Sequence, residues 1–73
     1  MAVIKVLNLV GDSNKSWDDA IKCAVKEASK TVKNISGIEV TNQTANVKDG
    51  NIVEYKANVQ VAFKVDNSDT MSI

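Results

Sequence analysis

Few side chains in this sequence could do chemistry, and their types narrow that chemistry at once. There is no histidine and Cys23 is the only cysteine, so neither a zinc site nor a thiol–imidazole pair can be built. No nucleophile stands at a recognisable spacing from a base. No glycine-rich stretch cradles phosphate, and no two carboxylates are spaced for acid–base work. Catalysis therefore finds no foothold among these residues, and no enzyme is expected. Lys56 and Lys64 share one face of an alternating segment with Gln60 between them, a polar row able to line a ligand site or channel and hold phosphate groups. The plainer reading of that row is a solvated strand face. Asn42 and Gln43 offer neutral amide oxygens for a hard cation at a symmetry axis. Asp66-Asn67-Ser68-Asp69 has oxygen ligands at loop-like spacing but lacks the glycine and terminal glutamate of a calcium loop. No metal ligand set is assigned from these. Cys23, beside an apolar helical stripe, reads as a buried inert thiol.

Composition excludes further classes. The 73 residues allow one domain, too small to bury a generous core unaided. One cysteine rules out an internal disulfide, which leaves association of copies as the ordinary supplement. Formal net charge is zero and the nine basic residues are all lysine. Without arginine or a basic stripe carrying aromatics, no nucleic-acid partner is expected. No apolar run approaches the about 20 residues of a membrane span. The unpaired cysteine and the lack of a basic leader before the apolar N-terminal run point to the cytoplasm.

The elements that must carry these residues follow from periodicity. Ala2–Val10 reads as a first strand with apolar residues on both faces, as in a strand covered on two sides. Gly11–Lys15 reads as a polar turn. Ser16 before Trp17-Asp18-Asp19 is an S-x-x-D cap, with negative charge at the positive end of the helix dipole. Trp17, Ala20, Ile21, Ala24, Val25, Ala28 and Val32 recur at spacings of three and four, predicting a helix over Trp17–Lys33 with Trp17 on its core stripe. A second strand runs from Gly37 or Ile38 to Val47, with neither face strongly apolar. Lys48-Asp49-Gly50-Asn51 is a hairpin turn, Asp-Gly supplying the positive φ such turns require. Ile52–Val65 then alternates nearly without fault: Val53, Tyr55, Ala57, Val59, Val61, Phe63 and Val65 face one way and mostly polar residues the other. The domain is placed at 1–66, with a polar, frayed tail at 67–73.

The lengths do not match. A helix of about 25 Å cannot cover a hairpin of roughly 40 Å or more. Apolar alternation out to Phe63 and Val65 therefore argues that neighbouring copies bury what the helix cannot reach.

Together these residues resemble dodecins. Val3-x-Lys5-Val6, Leu9-Val10-Gly11-x-Ser13 and Ser16-Trp17 are similar to the start of that family. Ala24-Val25-x-x-Ala28-Ser29-Lys30-Thr31-x-x-Asn34 is similar to its helix, and Ile38-Glu39-Val40 and Val59-x-Val61-x-Phe63 to its hairpin strands. No single piece is specific; their order over nearly the whole chain is. The resemblance implies an α+β subunit, β-α-β-β, with a three-stranded antiparallel sheet wrapped around one helix, assembled as a hollow homododecamer. It implies a non-enzymatic protein that stores or buffers flavin (riboflavin or FMN), with paired rings near two-fold axes. A tryptophan at the start of the second strand stacks on the ring, and a glutamine on the third hydrogen-bonds it.

Both ligand positions depart from that pattern. Gly37 stands where the stacking tryptophan is expected, and Lys56 where the glutamine is expected. Losing the platform removes about 1–3 kcal/mol per ring by analogy with base stacking, and Lys56 offers no acceptor for a ring N–H. Gly37, Lys56, Gln43 and Lys64 are the candidate ligand residues. The expected function is sequestration of flavin or a related planar small molecule with weakened or altered preference. The alternative is a shell that binds no flavin and holds ions or other small solutes.

Overall fold

The computed structural model describes residues 2–66, and side-chain environments within 3–65. The tail at 67–73, and with it most of the Asp66–Asp69 oxygen cluster, lies outside the described residues. The order is β1 (Ala2–Ser13), α1 (Trp17–Ser29), β2 (Ile35–Lys48) and β3 (Asn51–Asp66). All strand pairs are antiparallel, in the spatial order β1-β3-β2. The expected β-α-β-β subunit is thus present, with the alternating strand in the middle of the sheet.

Ser16 caps the helix as expected, its hydroxyl accepting from the Asp19 N–H at 3.0 Å. The reciprocal half of the capping box is absent. The Asp19 carboxylate instead accepts from the Ser13 hydroxyl at 2.7 Å, tying the helix to the end of β1. The helix ends four residues before the predicted Lys33. Lys30 and Thr31 turn onto the carbonyls of Glu27 and Ala28 in a tighter pattern, and Asn34 adopts φ 63°, which breaks the helical path. β-Branched Thr31 and Val32 do little to resist that ending. At the hairpin, Asp49 and Gly50 both have positive φ, 53° and 79°, the geometry that suits the strand twist.

β1 does not stop at Gly11 but continues to Ser13, and Gly11 is where the helix comes closest. A Cβ there would lie 2.1 Å from the Ala20 carbonyl oxygen and 3.0 Å from the Ala24 Cβ. The helix presents Ala20, Ala24 and Ala28 to the sheet, which answers with Ala57, Val59 and Val61; these six are the buried apolar residues. Leu9, Ile21 and Ile35 pack around them. At the helix start the Trp17 indole N–H donates to the Thr44 carbonyl at 2.7 Å. Its ring meets Tyr55 edge-on, with centroids 4.9 Å apart. Trp17 therefore joins the helix to both hairpin strands, a packing role in keeping with its place on the stripe.

The helix has 13 residues and β3 has 16, so about 20 Å of helix faces about 53 Å of strand. The molecule is 56 Å long and only 19 by 15 Å across. Much apolar surface stays open: Val3 and Leu7 on the helix side of β1, Ile4, Val6 and Val10 on the other, and Val47, Ile52 and Val53 at the hairpin end. The two-sided apolar character of β1 is present, but its own chain covers neither side fully. Cys23 is exposed, contrary to the buried thiol expected, because the stripe that faces the sheet is the alanine row and Cys23 precedes Ala24 on the flank.

Replacing Gly11 with alanine is expected to lower stability by about 3 kcal/mol, since a backbone oxygen must give way. Gly50→Ala, limited by backbone conformation alone, should cost about 1 kcal/mol. Denaturant unfolding checks both; a Gly11→Ala protein with an unchanged midpoint would refute the close helix–sheet contact.

Candidate functional site

The sheet has two faces, and the register assigns residues to each. Directly paired residues project to the same side. The side carrying buried Ala57, Val59 and Val61 is the helix side; the other carries Glu54, Lys56, Asn58, Gln60, Ala62 and Lys64 of β3. Across from these stand Asp12, Val10, Asn8, Val6 and Ile4 of β1, paired with Lys56, Asn58, Gln60, Ala62 and Lys64. On β2 the partners are Asn46, Thr44, Asn42, Glu39 and Gly37, paired with Glu54, Lys56, Asn58, Gln60 and Ala62.

An irregularity between Val40 and Asn42 explains why β2 shows no clean alternation. Ile38 and Val40 pair with Val61 and Val59 on the helix side, whereas Asn42 and Thr44 pair with Asn58 and Lys56 on the open side. Thr41 is the extra residue, and its hydroxyl donates to the Asn58 carbonyl at 3.1 Å. Counting in twos along β2 therefore mixes the two faces. Redrawn around the bulge, the open side is polar and the helix side apolar up to Val40.

The four predicted ligand residues do not meet in one copy. Gly37 and Lys56 share the open face, but Gly37 lies across from Ala62, six β3 residues from Lys56, about 20 Å away. Lys64 lies two residues beyond Ala62, about 26 Å from Lys56, so one phosphate cannot bridge the two lysines of a single chain. Gln43 pairs with buried Ala57 and so belongs to the helix side, opposite Lys56. Gly37 is exposed, and a Cβ there would meet nothing within 4 Å. Nor is Lys56 a free cation: its ammonium is 3.9 Å from the Glu54 carboxylate, itself held by the Asn46 amide N–H at 2.6 Å.

Between Gly37 and Lys56 lies a shallow open hollow of about 270 Å³, lined by Asn8, Leu9, Val10, Thr41, Asn58 and Val59. Asn58 donates an amide hydrogen bond to Asn42 across the strands. That bond uses one Asn58 N–H and one Asn42 oxygen lone pair, so both amide planes keep further donor and acceptor capacity. The signal for Asn58 was present in the alternation of β3. Asn42 was named from the sequence as an amide oxygen for a cation, but its place beside Asn58 was hidden by the bulge.

The dodecin family model matches residues 3–66. Among characterised relatives, a protein of Mycobacterium tuberculosis named calcium dodecin is 32% identical over 65 residues, covering 89% of this chain and 92% of that one. Its crystal structure superimposes with a TM-score of 0.76. A dodecin of Thermus thermophilus is 27% identical over 66 residues, covering 90% and 96% of the two chains. The structure of dodecin from Streptomyces coelicolor superimposes with a TM-score of 0.85 at 26% identity, covering 89% of this chain and 93% of that one. The β-α-β-β chain with its short alanine-faced helix belongs to the dodecin family.

Proposed function

We propose that this protein is a non-enzymatic, cytoplasmic sequestering protein that assembles as a homododecamer and takes flavin, or a related planar small molecule, between copies. Its preference is altered by Gly37 and Lys56. The observation that carries the reading is the separation of those two positions on one open face. A flavin ring is far shorter than about 20 Å, so a ring that uses both must draw them from different copies. Assembly and binding then become one property. The bare apolar surface of β1 and of the hairpin end supports the first half of this, since the described residues leave it open and further copies can cover it.

Gln43 takes no direct part in the ring contact of this reading because of its face, whereas Lys64, about 7 Å along β3 from the rung of Gly37, can join that half of the site. Gly37 removes the stacking platform but leaves the space it would fill. Calcium is the second reading, suggested by the name of one relative. Calcium takes six to eight oxygen ligands, usually with several carboxylates. Among the described residues no three acidic or cysteine side chains converge within one copy. Ligands for calcium would have to be pooled from several copies.

Sedimentation at micromolar concentration is expected to give a particle of about 95 kDa, twelve times the 7.9 kDa chain. A stable, well-folded monomer would overturn the shell and the site between its members. Titration of riboflavin, followed by quenching of its fluorescence, is expected to show weak binding. Gly37→Trp should tighten it by about ten- to a hundred-fold. An assembled Gly37→Trp particle that still ignores flavin at tens of micromolar would reject the flavin reading and leave the ion-holding shell.

A further inference from the structure

The charges around Lys56 bear on which form of a planar ligand the site takes. Lys56 was the candidate cation for a phosphate, yet it is surrounded by acids. Glu54 lies two residues away on the same strand face, 3.9 Å from the ammonium, and is anchored by Asn46. Asp12 stands directly across on β1. Glu39 adds a further carboxylate on the same face, across from Gln60. From Gln60 to Glu54 the open face carries Glu39, Asp12 and Glu54 against Lys56 alone; the next cation on that face, Lys64, pairs with Ile4 near the other end. The stretch is net acidic, and its one cation already has the Glu54 carboxylate 3.9 Å away.

The rest of this stretch is amide and hydroxyl. Asn58 donates to Asn42, Asn8 and Asn58 line the hollow, and Thr44 pairs with Lys56. An imide or ureide edge, in which carbonyls flank an N–H, needs donors beside an acceptor, and two adjoined carboxamides supply that set. A phosphate monoester carries about −1.5 to −2 charges at neutral pH and is repelled by an acidic surface.

We propose that the Asn42–Asn58 face beside Lys56 recognises uncharged planar heterocycles through an imide edge, and that Asp12 and Glu54 discriminate against their phosphorylated forms. The proposal rests on the flavin reading above and names the ligand class within it. Lys56 then serves as an internal counter-ion to Glu54, not as a phosphate anchor.

Riboflavin and FMN carry the same ring and the same fluorescence and differ by the phosphate, so paired titrations of the assembled protein isolate its effect. At low ionic strength riboflavin should bind about three- to ten-fold more tightly than FMN, and the gap should shrink at high salt. Glu54→Gln and, separately, Asp12→Asn should each tighten FMN by about two- to five-fold and leave riboflavin unchanged. Asn58→Leu should weaken both ligands alike. Particle size by sedimentation verifies that each variant assembles; the two charge variants replace exposed or half-buried groups on different strands, so loss of one fold leaves the other test standing. FMN binding as tightly as riboflavin, or a gap that neither charge variant moves, overturns this proposal and leaves the flavin reading intact. Failure of both ligands to bind, in wild type and in Gly37→Trp, overturns the flavin reading and this proposal with it.

Discussion

The contact on which the rest depends is the approach of the helix backbone to β1 at Gly11. With no Cβ there, the Ala20 carbonyl can sit where a side chain would otherwise stand. The helix face that makes this approach has to be small, and it is: Ala20, Ala24 and Ala28 are its buried residues. Close approach gives dense packing over a short length but very little volume. The largest fully buried side chains are Val59 and Val61. At roughly 25 cal/mol per Å² of apolar surface, such a core contributes little against the entropy of ordering a chain this long. A deeper core would need a larger helix face and a wider gap, which the Gly11 contact forbids.

The same contact fixes what is left uncovered. Because the helix is short and pinned near the Gly11 end, β3 outruns it, and both edge strands keep exposed apolar residues. Among the described residues, no other element packs on the open face of the sheet. On that face the middle strand sets the spacing of every candidate group, since β1 and β2 both register against β3. A site built there inherits strand periodicity, and groups six or eight residues apart on one rigid strand cannot be drawn together by side-chain movement alone. Complementary groups must come from another copy or from neighbouring rungs.

Much of this was legible in the sequence, and the parts that were not share physical causes. β3 could be read because it is central and two-faced, so its alternation survives in full. The Asp49-Gly50 turn and the Ser16 cap were legible because each meets a local backbone requirement. The end of the helix was not, because Lys30–Lys33 keeps helical spacing while Asn34 adopts positive φ. β1 was cut short at Gly11 because a glycine beside polar residues looks like a turn, whereas its role is long-range contact with Ala20. The site was half legible. Gly37 and Lys56 could be picked out as departures from a family pattern, and their separation follows from the hairpin register, because the irregularities at Val53 and Thr41 cancel and leave Gly37 across from Ala62. The face of Gln43 was not legible, because Thr41 is an extra residue in β2 and the faces exchange beyond it.

That exchange also settles how scaffold and ligand preference can change independently. Up to Val40, β2 gives its apolar residues to the helix side; after the bulge, Asn42, Thr44 and Asn46 turn to the open side beside Lys56 and Glu54. None of these open-face residues touches the alanine and valine core, so their identity does not enter the packing that holds the helix to the sheet. Gly37 lies equally apart from it, with free space around its Cα. An open face of this kind can change its side chains while the Gly11 contact, the alanine row and the hairpin turn stay as they are. The family fold can persist at modest identity because the two sides of one sheet are separate in this way.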